Sequence, residues 1–315
     1  MGLIRSFLYW AKPRLPQPVV LELLFYSVNT PAEQRQSMTL QILVPLHTYP
    51  DGNSVNIAAH AAAVARHLKA DVHGLVLNAT FPPASSIMGE VIINVDSMMR
   101  EVTAKCHIRG TALLQAMQAA LEPAGVKFRS TQLDCVMGTI GGAAETIARY
   151  HDLILTGLSA NDVATEATAE TVVFGSGRPT LLVPQDAAPS QFQHVMIAWD
   201  GSRVATRAVA DAREFLRLAK TVTIAVVTNE KTLPEDDPGL KLKDYLDRHN
   251  INAAVTLVQG QRRLIGRALQ DHALEIKADM MVMGAFGHSR MRDFVMGGAT
   301  TGILRDLKLP VLLSH

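Results

Sequence analysis

Short apolar runs alternate along this chain with longer amphipathic stretches. The runs at residues 41–46 and 194–199 are almost continuously apolar, as expected of strands that are buried on both faces of a parallel sheet. Each run is followed by apolar residues at three- and four-residue spacing, which predicts a helix with one buried face. These residues are Ile57, Ala61, Val64, Ala65 and Leu68 after the first run, and Val204, Ala208, Ala212, Phe215, Leu216 and Ala219 after the second. Because parallel strands need crossover connections, the pattern predicts an α/β fold built from βαβ units.

The same order of elements occurs twice. Residues 152–157 and 279–284 are both short apolar runs that end on glycine, and residues 178–183 and 309–314 form a second matched pair. Further strands are predicted at residues 72–77, 126–133, 221–227 and 252–258. The sequence therefore predicts two tandem domains, each with a five-stranded parallel sheet that has helices on both faces.

Composition along the chain suggests the domain boundaries. Residues 184–191 are polar and bounded by proline, which predicts a linker between domains at residues 38–185 and 193–315. Residues 1–37 imitate a signal peptide, with basic residues before an apolar run, but Glu22 interrupts that run and no cleavage site follows cleanly. We interpret them either as an N-terminal extension or as the result of a start codon assigned too early, with Met38 opening the first domain.

Composition also argues against several classes of protein. Apolar residues make up 48% of the chain, and the 30 basic residues nearly balance the 29 acidic ones, which argues against a nucleic-acid partner. The apolar run near the N-terminus is too short to span a membrane. Cys106 and Cys135 are the only cysteines and lack CxxC spacing, so the sequence indicates neither a disulfide framework nor a zinc site. We expect a cytoplasmic protein.

A glycine-rich stretch lies near the C-terminus. Gly284, Gly287 and Gly297 are separated by two and nine residues, between a predicted strand and a predicted helix. Ligands of open parallel sheets bind beyond the carboxyl ends of the strands, and glycine lets a phosphate come close to backbone N–H groups. The helix start, including the N–H of Ala299, supplies donors and a favourable dipole, and Arg290 adds positive charge. The stretch is therefore predicted to bind phosphate.

This spacing, together with Asp200 in the sequence Ala-Trp-Asp-Gly-Ser after a predicted strand, resembles the universal stress protein (UspA) family. The resemblance covers most of residues 38–315 and implies tandem Rossmann-like, adenine nucleotide alpha hydrolase-like domains. It also implies a role in stress response or signalling, with ATP and Mg²⁺ bound in the C-terminal domain. In such a site the aspartate lies near the adenosine and the metal, a valine contacts adenine, and the glycines hold ribose and phosphates. The predicted nucleotide-binding residues are Asp200, Val226, Gly284, Gly287, Arg290, Gly297, Gly298 and Ala299.

The sequence departs from the family pattern in both copies. Gly298 stands where the family has serine or threonine, and Thr300 or Thr301 is the nearest hydroxyl that could replace it. In the N-terminal copy His47 takes the place of the aspartate, no glycine pair opens the last helix, and Glu166 would repel phosphate there. We predict a degenerate N-terminal domain that has lost nucleotide binding and pairs with the C-terminal domain as an intramolecular pseudo-dimer. A homodimer of two chains is left open.

Two other functions stay open on the sequence. Residues 287–291 resemble the Gly-x-Ser-x-Gly turn of serine hydrolases, with Ser289 as nucleophile, but the last glycine is replaced by Met291. The acid and the histidine also do not follow on later strands as such an enzyme requires. The second alternative function is that of a scaffold that acts through protein contacts. The apolar strands at residues 180–183 and 311–313 are candidate sheet edges, and such edges tend to pair with a partner. We assign no catalytic residue and no set of metal ligands, and we expect a binding protein rather than an enzyme.

Overall fold

The computed structural model describes residues 39–81, 95–160, 162–228, 237–260, 265–285 and 299–315. Thr39–His315 form one compact unit. The predicted N-terminal extension, residues 1–37, lies outside the described residues. None of the helices in the described ranges is both long and apolar enough to cross a membrane.

Strands and helices alternate through both halves of the compact unit. The first half contains β1 (Gln41–His47), α1 (Ile57–Leu68), β2 (Asp71–Thr80), α2 (Val95–Leu121), β3 (Phe128–Val136), α3 (Ile140–Ala148), β4 (Leu153–Leu158), α4 (Val163–Gly175) and β5 (Thr180–Pro184). The second half contains β6 (His194–Ala198), α5 (Arg203–Asp211), α6 (Arg213–Leu218), β7 (Thr221–Thr228), α7 (Pro238–Asp247), β8 (Ala253–Gln259), α8 (Ile265–Glu275), β9 (Met280–Gly284), α9 (Ala299–Arg305) and β10 (Val311–Ser314). The single helix predicted after β6 is divided at Ala212 into α5 and α6.

All of these strands belong to one sheet, in the order β3-β2-β1-β4-β5-β10-β9-β6-β7-β8. Neighbouring strands within each half are parallel, and β5 pairs with β10 antiparallel. The predicted α/β fold with parallel strands is confirmed. The sequence predicts one sheet per domain, whereas in the structure the two sheets are continuous. The two final strands are buried, and pairing with each other gives each the backbone partners that an edge strand lacks.

The two halves repeat one hydrogen-bonding pattern at the start of their first strands. The N–H of Asp152 donates to the carbonyl of Gln41, and the N–H of Asp279 donates to the carbonyl of His194, each at 2.9 Å. The same aspartates accept from the backbone N–H groups of Gln41 and His194, at 2.8 and 3.1 Å. Gln41 and His194 are therefore equivalent positions. Six residues further along, His47 in the first half is the equivalent of Asp200 in the second.

The core lies on both faces of the sheet. One face packs against α1, α2, α5, α6 and α7, and the other packs against α3, α4, α8 and α9. Strand residues such as Val44, Leu155 and Val282 are fully buried. Helices on both faces therefore explain why the strands read as continuous apolar runs and not as alternating ones.

The segment predicted as a linker is anchored at both ends. Gln185 is 1% exposed and bonds within the first half, and Phe192 is 2% exposed and packs against Phe215 of α6 with ring centroids 5.3 Å apart. Between them, Ser190 Oγ donates to the carbonyl of Asp279 at 2.7 Å. His67 of α1 also lies against Phe192, at 5.2 Å. The ends of this segment are thus anchored in the compact unit, whereas residues 186–189 between them are exposed.

Candidate functional site

The candidate site lies where the strand order of the second half reverses. The chain runs from β6 outward to β7 and β8, then returns to β9 on the other side of β6. Helices that follow β6 and β9 leave on opposite faces of the sheet, because α5 belongs to one buried cluster and α9 to the other. Such a reversal opens a crevice at the carboxyl ends of the strands, which is where open α/β sheets bind ligands.

Asp200 follows β6 at this crevice. Its Oδ1 accepts from the N–H of Ser202 at 3.0 Å, and Ser202 Oγ in turn accepts from the N–H of Ala205 at 3.3 Å, which caps the start of α5. Because Asp200 holds the turn that starts α5, one of its oxygens is fixed in direction. The structure therefore places the predicted aspartate at the strand end, on a short and well-bonded turn.

Gly284, at the end of β9, is in close contact with α5. A Cβ at this position would come within 2.5 Å of the backbone of Val204 and Ala205. Gly157, the equivalent residue at the end of β4, would meet Ile57 of α1 at 2.7 Å. At Gly284 the absence of a side chain lets the backbone of α5 approach the strand, whereas at Gly157 a Cβ would meet the end of a side chain.

The residues on either side of the glycine-rich segment are held by backbone contacts. The N–H of Ala285 donates to the carbonyl of Ser314 at 2.8 Å, and its own carbonyl accepts from His315 Nδ1 at 3.1 Å. Ala299, the first residue of α9, has its carbonyl so close to Gly266 of α8 that a Cβ on Gly266 would overlap it. Sequence reasoning missed Gly266, whose only signal is a glycine within a predicted helix.

Val226 lies on the face of the sheet that packs against α7. Its side chain is buried with α7, where a Cβ on Gly239 would be 3.0 Å from it. The neighbouring Val227 packs on the same face as Ala198, two residues before Asp200. Since strand residues alternate between faces, the side chain of Val226 lies on the face opposite to that of Ala198.

Four of the predicted residues lie outside the described part of the chain, namely Gly287, Arg290, Gly297 and Gly298. Ser289, the nucleophile of the hydrolase hypothesis, lies outside it as well. Of the two hydroxyls considered as replacements at Gly298, Thr300 is 3% exposed and Thr301 is half-buried. The structure thus brings Asp200, Gly284 and the start of α9 to one end of the second half.

The equivalent crevice of the first half has a different chemistry. His47, at the position of Asp200, is 2% exposed, and neither ring nitrogen has a hydrogen-bond partner in the part of the chain that is described. Burial lowers the pKa of His47 to about 4, although the negative charge of Asp162 acts in the opposite direction. At neutral pH an uncharged imidazole therefore stands where the second half has a carboxylate.

Side chains of the first half also bridge the ends of its strands. Asn53 Oδ1 accepts from the N–H of His47, and Asn53 Nδ2 donates to Gln185 Oε1 at 2.9 Å and to the carbonyl of Gly157 at 3.3 Å. Gln185 Nε2 donates to Ser159 Oγ at 2.6 Å. This network crosses from β1 to β4 and β5, so it spans the crevice between them. Sequence reasoning did not single out Asn53 or Gln185, because their partners are distant along the chain.

The chemistry available at the second crevice is a carboxylate beside a strand end and a helix start. Among the residues that the structure describes, no group of three or more His, Cys, Asp or Glu side chains is arranged to hold a metal ion. Mg²⁺ bound with a nucleotide usually has few protein ligands and takes the others from phosphate oxygens and water, so a single carboxylate such as Asp200 is compatible with it.

The strand order, the parallel halves and the crevice define a Rossmann-like α/β protein. A universal stress protein structure from Archaeoglobus fulgidus is similar to this chain with a TM-score of 0.65, 17% identity, and coverage of 87% of this chain and 97% of that one. A solved structure from Pseudomonas aeruginosa is similar with a TM-score of 0.54, 14% identity, and coverage of 88% and 93%. These two likenesses show the same fold.

Two sequence comparisons identify similar proteins. Residues 191–315 match the model of the universal stress protein family. A universal stress protein from Synechocystis sp. is 26% identical over 221 residues, which cover 65% of this chain and 72% of that protein. These comparisons show that the chain is similar to universal stress proteins, with the family match in residues 191–315.

Proposed function

We propose that this protein binds an adenine nucleotide, ATP with Mg²⁺, at the crevice between β6 and β9, and acts in stress response or signalling. The observation that carries the proposal is the contrast between the two crevices. The second half presents the carboxylate of Asp200 at the strand reversal, whereas the first half presents a neutral His47 and a bridging network of its own side chains. The matched family model covers this same second half.

The residues of the second half suit a nucleotide with a divalent cation. Mg²⁺ prefers carboxylate and phosphate oxygens and keeps several waters, so Asp200 is the residue of this crevice that would approach it, directly or through water. The glycine spacing of Gly284, Gly287 and Gly297 favours close approach of phosphate oxygens to backbone N–H groups, and Arg290 adds charge. Bound Mg²⁺ would neutralise part of the phosphate charge beside Asp200.

We further infer that the first half serves as the partner of the second in an intramolecular pseudo-dimer. The antiparallel pairing of β5 with β10 and the shared packing around Phe192 support this arrangement. The network at Asn53 and Gln185 supports the loss of nucleotide binding in the first half. Both cysteines are unpaired and buried, in keeping with our expectation of a reducing cytoplasm.

We expect binding rather than turnover. Asp200 is engaged in the turn before α5, and no residue is assigned as a general base beside the crevice. Hydrolysis of a bound nucleotide, if measured, should therefore be slow compared with its exchange.

Isothermal titration of ATP with Mg²⁺ into the full-length protein tests the proposal. We expect one site per chain, with binding lost in Gly287→Asp and weakened in Asp200→Ala. Matched controls are Gly142→Asp, where a Cβ meets nothing within 4 Å, and Asp51→Ala, an exposed aspartate after β1. Absence of binding to the wild-type protein would contradict the proposal and leave a scaffold that acts through protein contacts. Unchanged binding in both site variants would place the site elsewhere.

A further inference from the structure

Two buried histidines and an arginine meet beside β3, the strand at one edge of the sheet. His73 of β2 and His151, which precedes β4, are 5% and 3% exposed, and their imidazole rings stack with centroids 5.1 Å apart. Arg129 of β3 lies directly opposite His73 in the strand register. We call these three residues the histidine cluster. Within the described ranges β3 pairs only with β2, so the cluster lies where a strand has one neighbour instead of two.

The hydrogen bonds of the cluster fix where each imidazole carries its proton. The carbonyl of Ile147 can only accept, so His151 Nδ1, which is 3.0 Å away, is the donor. In the neutral ring the other nitrogen, Nε2, is then an acceptor, and it faces Arg129 Nη2 at 2.9 Å and His73 Nδ1 at 3.0 Å. His73 Nε2 in turn accepts from Thr131 Oγ1 at 2.9 Å. One unprotonated nitrogen of His151 therefore accepts from both of its neighbours.

A proton on His151 Nε2 would break two of these bonds at once. The nitrogen would become a donor that faces two other donors, and the imidazolium would lie beside the guanidinium of Arg129. The bond from Arg129 to His151 connects β3 to the chain before β4, across the intervening β2 and β1. The same proton would therefore remove a side-chain bond that holds β3 and replace it with repulsion.

The surroundings of His151 keep it neutral while the sheet is closed. Burial lowers the pKa of His151 below its ordinary value of 6.5, and the positive charges of Arg129 and Arg178 act in the same direction. The bond to Ile147 and the negative charge of Asp152 act in the opposite direction. If β3 opens, water reaches the ring and Arg129 moves away, so the imidazole can bind a proton that the closed sheet excludes.

The second half has no counterpart of the cluster. The aligned strand registers make Thr223, Ala254 and Ala278 the equivalents of His73, Arg129 and His151. None of the three second-half residues is charged or titrates near neutral pH. Strand β8, which is the equivalent edge strand, therefore provides an internal reference for β3 within the same molecule.

We propose that the histidine cluster is an acid-sensitive switch that holds β3 in the sheet at neutral pH and releases it on acidification. Opening exposes the imidazoles to water and takes up protons, so lower pH favours the open form. An edge strand has one strand neighbour, so its opening disrupts fewer bonds than unfolding of the whole unit. Release of β3 frees the backbone groups of β2 for pairing with another strand. The switch lies in the first half and does not depend on nucleotide binding.

Hydrogen exchange of the full-length protein at pH 7 and pH 5, corrected for the intrinsic effect of pH on exchange, tests the switch. One proton taken up on opening raises the open fraction up to about tenfold per pH unit, so amides of residues 128–136 should exchange about tenfold or more faster at pH 5. Amides of residues 253–259 in β8 should show no comparable change. An equal increase in both edge strands would indicate loss of the whole structure and would overturn the proposal, as would unchanged protection of β3.

The variant His151→Gln separates a titrating switch from a purely structural contact. Glutamine keeps a side-chain oxygen that can accept from Arg129 but binds no proton in this range. The ratio of β3 exchange between pH 5 and pH 7 should therefore fall about threefold or more below that of the wild-type protein. His249→Gln, at an exposed histidine of the second half, should keep the wild-type ratio at β3. A wild-type ratio in His151→Gln would overturn the role of this histidine.

The variant Arg129→Ala tests the switch without replacing a buried residue. Arg129 is exposed, so its removal leaves the core intact. We expect β3 to exchange about threefold to tenfold faster at pH 7, because a hydrogen bond from a charged group is lost. The pH dependence should be weaker than in the wild-type protein, because a positive charge that opposes protonation of His151 is gone. The control is Arg248→Ala, at an exposed arginine of the second half. If β3 exchanges in Arg129→Ala as it does in this control at both pH values, the proposal is wrong.

Discussion

Leu181 of β5 and Leu312 of β10 lie directly opposite one another where the two halves join, and both are fully buried. The two residues occupy equivalent positions, because Thr180 pairs with Ile154 in the first half as Val311 pairs with Met281 in the second. A residue that faces its own equivalent marks the local two-fold axis of a pseudo-symmetric pair. This pairing supports our proposal that the two halves form an intramolecular pseudo-dimer.

Leu312→Ala should destabilise the whole protein. Removing a fully buried leucine side chain from the junction costs about 2–5 kcal/mol, from lost apolar burial and the cavity that remains. Chemical denaturation followed by circular dichroism measures the loss. Leu257→Ala is the matched control, since Leu257 is 64% exposed on the outer strand β8 and should change stability by less than about 0.5 kcal/mol. An equal effect of both variants would contradict the central role of the junction.

Gly266→Ala should destabilise the contact between α8 and α9. The added methyl group would overlap the carbonyl of Ala299, and forcing a group into a packed contact costs about 1–3 kcal/mol. Gly302→Ala in α9 is the control, because a Cβ there meets nothing within 4 Å and should stabilise the helix by about 0.5–1 kcal/mol. Thermal unfolding of the two variants should therefore shift in opposite directions. If both variants unfold at a higher temperature than the wild-type protein, the structure accommodates the added methyl group beside Ala299 without loss of stability.

Asn53→Ala should destabilise the first half without changing nucleotide binding in the second. The substitution removes the acceptor of the His47 N–H and a donor to Gln185, and buried groups left without a partner cost about 1–3 kcal/mol. Asn56→Ala, at an exposed asparagine three residues on, should have little effect. Denaturation and ATP titration of both variants check the two statements. Nucleotide binding that changes in Asn53→Ala would show that the first crevice takes part in it.

A buried pair of histidines, His73 and His151, makes stability depend on pH. The Arg129 guanidinium donates to His151 Nε2 at 2.9 Å, so this nitrogen carries no proton and also accepts from His73 Nδ1 at 3.0 Å. Burial, followed by the positive charges of Arg129 and His151, lowers the pKa of His73 from 6.5 to about 4. Burial is also the main cause that lowers the pKa of His151. Both rings are therefore neutral in the folded protein near neutral pH.

Acidification from pH 6.5 toward pH 4 should lower the free energy of unfolding. In this range the unfolded state binds protons that the folded state excludes, so the stabilisation is complete above pH 6.5 and is lost as the pH falls. His73→Gln should reduce the slope of unfolding free energy against pH by up to about 1.4 kcal/mol per pH unit, the value for one proton. His249→Gln, at an exposed histidine, is the control for removal of an imidazole at the surface. A slope unaltered in His73→Gln would contradict the low pKa of His73.

Much of the fold can be predicted from the apolar pattern. Strands buried on both faces leave continuous apolar runs, and the predicted strands agree with β1–β10 to within a few residues. Asp200 also follows its strand where its motif predicts it, because the motif and the strand are adjacent in the chain. Val226 illustrates the limit, since the apolar run predicts that its side chain is buried but not that it packs against α7.

The sequence by itself determined the α/β class, the repeated order of strands and helices, and the positions of Asp200 and Gly284 at strand ends, because these depend on local periodicity and on residues close together in the chain. Only the tertiary structure shows that the pairing of β5 with β10 joins the two five-stranded sheets into one. The same holds for Asn53 and Gln185, which bridge the first crevice. The tertiary structure also decided that Phe174 reaches His315 from the other half. These contacts join residues more than one hundred positions apart, and no local pattern of apolar and polar residues records which distant partner a side chain meets when the chain closes its core.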